Sequence, residues 1–141
     1  MRRRLVTAFD VGVDEDAGAA VVRPVALSLP GVVEEPAWRG TRWRVRGRTF
    51  AHVLVVDGGP AAYAAALGHH APRCVVALRS AGAELDALAH AGPPFHAVPA
   101  RDGVVLLDLA GPVDPDELRE LLTESWLLFA PASLASRLTV P

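Results

Sequence analysis

Arg42-Trp43-Arg44-Val45-Arg46 alternates strictly between cationic and apolar side chains. Neighbouring side chains of a β-strand point to opposite faces, whereas a helix cannot separate residues two apart. The segment therefore predicts a half-buried strand, with Trp43 and Val45 inward and Arg42, Arg44 and Arg46 outward. Gly47-Arg48 reads as a tight turn, and Thr49 to Val56 as a second, more apolar strand. Arg73 to Arg79 predicts a third, with Cys74, Val76 and Leu78 on one side and Arg73, Val75, Ala77 and Arg79 on the other. Phe95 to Val98 and Val104 to Leu109 predict two more strands about a hairpin-like turn at Arg101-Asp102-Gly103.

The helices announce themselves by their ends. Asp14-Glu15-Asp16 places carboxylates where free N–H groups and the helix dipole favour them. Val21, Val22, Val25, Ala26 and Leu29 follow at helical spacing, and Leu29-Pro30-Gly31 stops the run. Pro24 implies either a kink or a start near Arg23 with the proline in the first turn. Ala61 to Leu67 reads as a short helix stopped by Gly68, and Ser80 as the N-cap of a helix over 81–90, closed by Gly92-Pro93-Pro94. Asp114-Pro115-Asp116-Glu117 opens the last helix with a capping acid and proline at the first helical position. Its apolar stripe is Leu118, Leu121, Leu122, Trp126 and Phe129; Pro131 ends it, and 132–138 adds a final turn.

The order α-β-β-β-α-β-β-α lacks regular βαβ alternation. It predicts an α+β class domain, a two-layer α/β sandwich with a mainly antiparallel sheet and helices on one face. A chain of 141 residues fits one domain, placed at 14–138, with 1–13 as a tail or short added strand. Hydrophobic residues at 51% and charged residues at 21% exclude a disordered chain. No apolar run approaches the ~20 residues that cross a bilayer, so no membrane role is expected. The basic start Met1-Arg2-Arg3-Arg4 is soon interrupted by acids, unlike a signal peptide, which makes the cytoplasm of a bacterial cell the expected location. The single cysteine, Cys74, excludes an intrachain disulfide and a cysteine-based zinc cage.

Three segments resemble the MmcQ/YjbR family. They are Ala26-Leu27-Ser28-Leu29-Pro30-Gly31-Val32, Arg44-Val45-Arg46-Gly47-Arg48-Thr49-Phe50-Ala51, and the run from Val113-Asp114-Pro115 through Glu124-Ser125-Trp126 to Ala130-Pro131. They stand in the family's order and span roughly 20–138. The resemblance implies a fold related to secretion-chaperone-like and "double wing" domains, and with it a DNA-binding label. That label is an analogy from fold, which does not fix function. Family members often carry aromatic and basic residues before the last strand, where this chain has Phe95-His96-Ala97-Val98-Pro99-Ala100. A basic residue commonly follows the family's Ala-Pro, and here it is Ala132. Residues 58–72 read as a loop insertion.

The formal net charge of −2 argues against wholesale electrostatic attraction to nucleic acid, so only the placement of the cations counts. All of them are arginine. Nine precede Asp57 against six acids, and five follow Val56 against ten acids. Guanidinium forks bind phosphate bidentately, so an outward ladder of Arg42, Arg44 and Arg46 fits a nucleic-acid backbone. Arg73 and Arg79 join it if the third strand orients as read, and Arg39 and Arg48 flank it. The ladder lacks the exposed aromatics of single-strand-binding sheets. Set against this is a solvated face balanced by acids of a partner or of the last helix. His52, His69, His70, His90 and His96 show no metal-ligand spacing, and Cys74 sits in an apolar strand. The acids 114, 116, 117, 120 and 124 read as the solvated side of the last helix. Neither an enzymatic motif nor a cofactor motif is present, so the expectation is a non-enzymatic, DNA-binding domain without metal or cofactor. The alternative is a protein-binding or homodimerisation module.

Overall fold

The computed structural model describes residues 11–138. Most of the expected N-terminal tail thus lies outside the described residues. At its end the Gly12 carbonyl accepts from the Cys74 N–H at 2.8 Å. Helix α1 (Glu15–Ser28) starts on Asp14, whose carboxylate accepts from the Ala17 N–H. It continues through Pro24, so it does not begin near Arg23. Pro24 and Ala20 are both exposed, so the carbonyl that loses its partner to the proline faces water.

Six strands follow: β1 (Val32–Pro36), β2 (Thr41–Val45), β3 (Arg48–Val56), β4 (Arg73–Arg79), β5 (Phe95–Ala97) and β6 (Val104–Asp108). They form one antiparallel sheet in the order β1-β2-β3-β4-β6-β5. The fold is of the α+β class. Strand β1 is an addition to the sequence reading, because Val32-Val33-Glu34-Glu35-Pro36 neither alternates nor suits a sheet interior. At an edge, adjacent acids and a proline are tolerated.

The β2–β3 hairpin turns at Arg46 and Gly47, both with positive φ (52° and 80°), as a two-residue turn with native twist requires. Arg46 is therefore in the turn and not on the strand. Beyond the turn, Arg44 faces Thr49 while Trp43 faces Ala51, leaving Phe50 as a bulge buried on the helical side. The β3–β4 ladder ends at Ala51 and Leu78. One buried hydroxyl satisfies the backbone groups just beyond: Ser125 donates to the Phe50 carbonyl at 2.6 Å and accepts from the Arg79 N–H at 2.9 Å.

Ser125 belongs to α4 (Pro115–Leu127), which covers one sheet face together with α1 and the short α5 (Ala132–Ala135). Trp43, Phe50 and Trp126 are fully buried there. Each indole N–H is satisfied, Trp43 by Glu34 at 2.9 Å and Trp126 by the Pro30 carbonyl at 3.1 Å. Gly18 brings α1 so close to β4 that a Cβ on it would stand 2.5 Å from Cys74 Sγ. Phe129, expected in the α4 stripe, lies beyond the helix and is only half-buried.

The second face is not bare. Leu54 and Val56 of β3, Val75 of β4 and Leu106 of β6 point that way, and α2 (Ala61–Leu67) covers them with Tyr63 and Leu67. The segment read as an insertion thus covers apolar residues on the side away from the other large helices. Helix α3 (Gly82–Ala91) packs by the β5–β6 hairpin, with Leu88 against the main core. Its N-cap is Ala81, not Ser80. The Ser80 hydroxyl makes no capping bond, while its N–H donates to the Gly103 carbonyl at 2.8 Å.

Candidate functional site

Alternation places Arg42 and Arg44 on the face away from α1, as the ladder required. Strand β1 places Glu35 directly beside them. Glu35 Oε1 accepts from Arg42 at 2.6 Å and from Arg44 at 3.1 Å, and these two guanidinium groups hold its carboxyl below the usual range. Arg44 also donates to the Gly47 carbonyl. The balancing acid therefore comes from the neighbouring strand, not from a partner or the last helix.

The other expected arginines disperse. Arg46 projects from the hairpin turn, exposed. Arg73 pairs with Asp108 across the sheet at 2.8 Å. Arg39, in the β1–β2 loop, donates to the carbonyls of Val55 (3.1 Å) and Gly59 (3.4 Å). It stands in a separate hollow walled by Asp14, Glu15, Asp16 and Asp57. Arg48 and Arg79 both lie by the Phe129 ring, with guanidinium carbons 4.6 and 5.5 Å from its centroid, within cation–π range. One continuous seven-arginine strip does not exist.

What the fold assembles instead is a hollow of about 210 Å³ on the second face, where the cover of α2 ends. Arg42, Arg79 and Arg101 line it together with His52, Tyr63 and Trp38. No carboxylate lines it, and among the described residues Arg79 and Arg101 have none within 4.0 Å. Arg101 comes from the β5–β6 turn and lies 5.6 Å over the Tyr63 ring. Trp38, on the β1–β2 loop, is 78% exposed.

That loop is rigidly held. Gly40, at φ +74°, packs where any Cβ would strike the Val53 carbonyl. The Ala37 N–H donates to the Gly40 carbonyl at 3.0 Å. His52 Nε2 lies 2.6 Å from the Arg39 carbonyl, which only accepts, so the proton resides on Nε2. Burial, aided by the Arg42 charge, lowers the His52 pKa and favours the neutral ring.

Sequence reasoning missed Trp38, Tyr63 and Arg101, and judged the arginine face to lack exposed aromatics. Trp38 corrects that judgement. The one usable signal was that its indole stands in a Gly-containing loop between charged residues, with no apolar periodicity to bury it. Arg101 and Tyr63 join the site only through tertiary packing. Elsewhere, burial and the nearby Glu15, Asp14 and Asp108 push the Cys74 thiol up to about 12, so it is held as a neutral thiol. His69, His70 and His96 are neighbours, with ring centroids 4.1 and 5.2 Å apart. Among the described residues no cluster of three or more His, Cys, Asp or Glu is arranged to hold a metal ion. No helix among them is long and apolar enough to cross a membrane.

The Leu-Pro-Gly stop after α1, the Arg46–Gly47 hairpin and the Ser125–Trp126 pair of α4 all fall within residues 27–128, which match the YjbR family model. The chain belongs to the YjbR family. Comparisons with curated proteins and with solved structures gave no match. The YjbR segments seen in the sequence thereby acquire structural roles: they hold the bulge, the hairpin turn and the Ser125 hydroxyl that bonds the Phe50 and Arg79 backbone.

Proposed function

We propose that this YjbR-family domain is a non-enzymatic nucleic-acid-binding module, and that it holds the phosphate backbone in the hollow of Arg42, Arg79 and Arg101. The observation that supports this reading is that three arginines from separate elements line one concavity with no carboxylate among its lining residues. Phosphate is the anion whose oxygens suit such forks, and a low-acid concavity concentrates their field. Arg44 and Arg73 are engaged with Glu35 and Asp108 and contribute less, and Arg42 shares Glu35 with Arg44.

The test is fluorescence anisotropy of a labelled oligonucleotide at two salt concentrations. Binding should weaken with salt, and Arg79→Ala/Arg101→Ala should reduce the logarithmic slope by about two, near one unit for each phosphate no longer neutralised. Salt-independent binding, or none at low salt, would sink the reading.

A second reading has an observation of its own. Strand β1 is a sheet edge, with Val33 58% exposed and Trp38 beside it. An edge of this kind suits strand-to-strand pairing with a second copy, which sedimentation would reveal as a dimer insensitive to salt.

A further inference from the structure

The three tryptophans are treated very differently. Trp43 and Trp126 are fully buried, whereas Trp38 is 78% exposed at the lip of the cationic hollow. The loop that carries it is pinned by Gly40, by the His52–Arg39 bond and by Arg39 itself. The indole is thus presented on a fixed support. Within the hollow, Tyr63 is buried and serves as a platform over which the Arg101 guanidinium lies. One concavity therefore offers charges for phosphate and flat groups for a base. At about 210 Å³ it is smaller than the ~300 Å³ at which drug-sized pockets begin, which limits it to no more than one nucleotide.

We propose that the hollow takes one unpaired nucleotide of a single strand, its phosphate against Arg42 and Arg79 and its base stacked on Trp38. This deepens the phosphate-binding reading and rests on it. A base inside a duplex has both faces covered by its neighbours, so an exposed indole beside phosphate-binding arginines favours bases that are splayed out. Stacking of this kind tolerates any base, which predicts strand selectivity without strong sequence preference.

The experiment titrates the whole chain with a labelled single strand of about 12 thymidylates, with a duplex of equal length and with thymidine monophosphate. Anisotropy and tryptophan fluorescence are both read, the latter reporting mainly Trp38 because the other two indoles are buried. The expected result is single-strand binding at least about tenfold tighter than duplex binding, with quenching. Trp38→Ala should weaken single-strand binding about 5- to 150-fold, spare duplex binding and leave the melting curve unchanged; Trp38→Phe should restore part of the loss. Equal affinity for strand and duplex, or no effect of Trp38→Ala, would overturn this proposal. Phosphate binding would survive that result if Arg79→Ala/Arg101→Ala still lost affinity with a reduced salt slope. Monophosphate binding as tight as the oligonucleotide would also overturn the strand proposal, in favour of a small nucleotide. No binding of any probe at low salt removes both readings together.

Discussion

The two faces of the sheet use the same strands under opposite rules. Toward α1 and α4, every strand offers apolar side chains, and the Trp43 and Trp126 indoles and the Ser125 hydroxyl that enter there each find a partner. On the other face, β3 changes character along its length. Leu54 and Val56 are covered by α2, while His52 lies in the floor of an open hollow. The boundary between those halves is where the arginines of three different elements meet. Stability is concentrated on the continuous face, and binding chemistry lies where the second apolar layer stops.

Ser125→Ala attacks the first face where it is least redundant. Removing the hydroxyl orphans the Phe50 carbonyl and the Arg79 N–H beside the bulge. Each buried unsatisfied group costs about 1 to 3 kcal/mol, so a loss of about 2 to 6 kcal/mol is expected for the two. Circular-dichroism melting should show a fall of roughly 10 °C. Arg101→Ala, on the open face, should move the midpoint by no more than about 2 °C. Equal effects from the two substitutions would break the contrast between the faces.

The division also explains what was legible in the sequence. Trp43 and Val45, the Cys74-Val76-Leu78 register and the α4 stripe from Leu118 to Trp126 are local patterns with one consistent interior, and each stands where its period put it. Strand β1 has no period of its own. It exists because β2 offers it an edge, so Glu35, and with it the neutralisation of Arg42 and Arg44, was invisible. Ser80 had the chemistry of a cap, but its position is governed by the bond of its N–H to Gly103. Val75 and Ala77, apolar yet outward by alternation, were the overlooked sign that something had to cover the second face. The hollow depends on that cover, on a glycine-held loop and on a distant turn. The arginines of a single strand could not show it.

A smaller effect tests the loop support. Burial, and then the Arg42 charge, hold the His52 pKa below the ordinary 6.5, against the opposing pull of its bond to the Arg39 carbonyl. The unfolded chain then binds the proton more readily, and stability present above about pH 6.5 is lost as pH falls toward the folded value. His96, also lowered by burial, acts in the same sense. Glu84 opposes it, because burial and then Glu124 and Glu120 raise its pKa, so protonation there relieves the folded state. In a Glu84→Gln background, the melting temperature should therefore decline between about pH 7 and pH 5. His52→Gln, which keeps a donor near the Nε2 position and cannot titrate, should flatten that decline. An unchanged slope would remove His52 from the account of how Trp38 is held.

The smallest expected effect is also the one that joins the two kinds of arginine. Arg42 lines the hollow but shares its charge with Glu35, as does Arg44, whereas Arg79 and Arg101 do not. Glu35→Gln retains an oxygen that accepts from both guanidinium groups, so their positions are largely kept while the negative charge is removed. The pair is half-buried but still screened by solvent, and such pairs add little to stability, so the melting curve should barely move. Affinity for an oligonucleotide at low salt should instead rise, by about three- to tenfold, because two cations recover their full field beside the phosphate site. The gain should shrink as salt is added, since screening acts on that same field. If Glu35→Gln leaves affinity and salt slope unchanged, Arg42 contributes no charge to the site, and phosphate recognition contracts to Arg79 and Arg101.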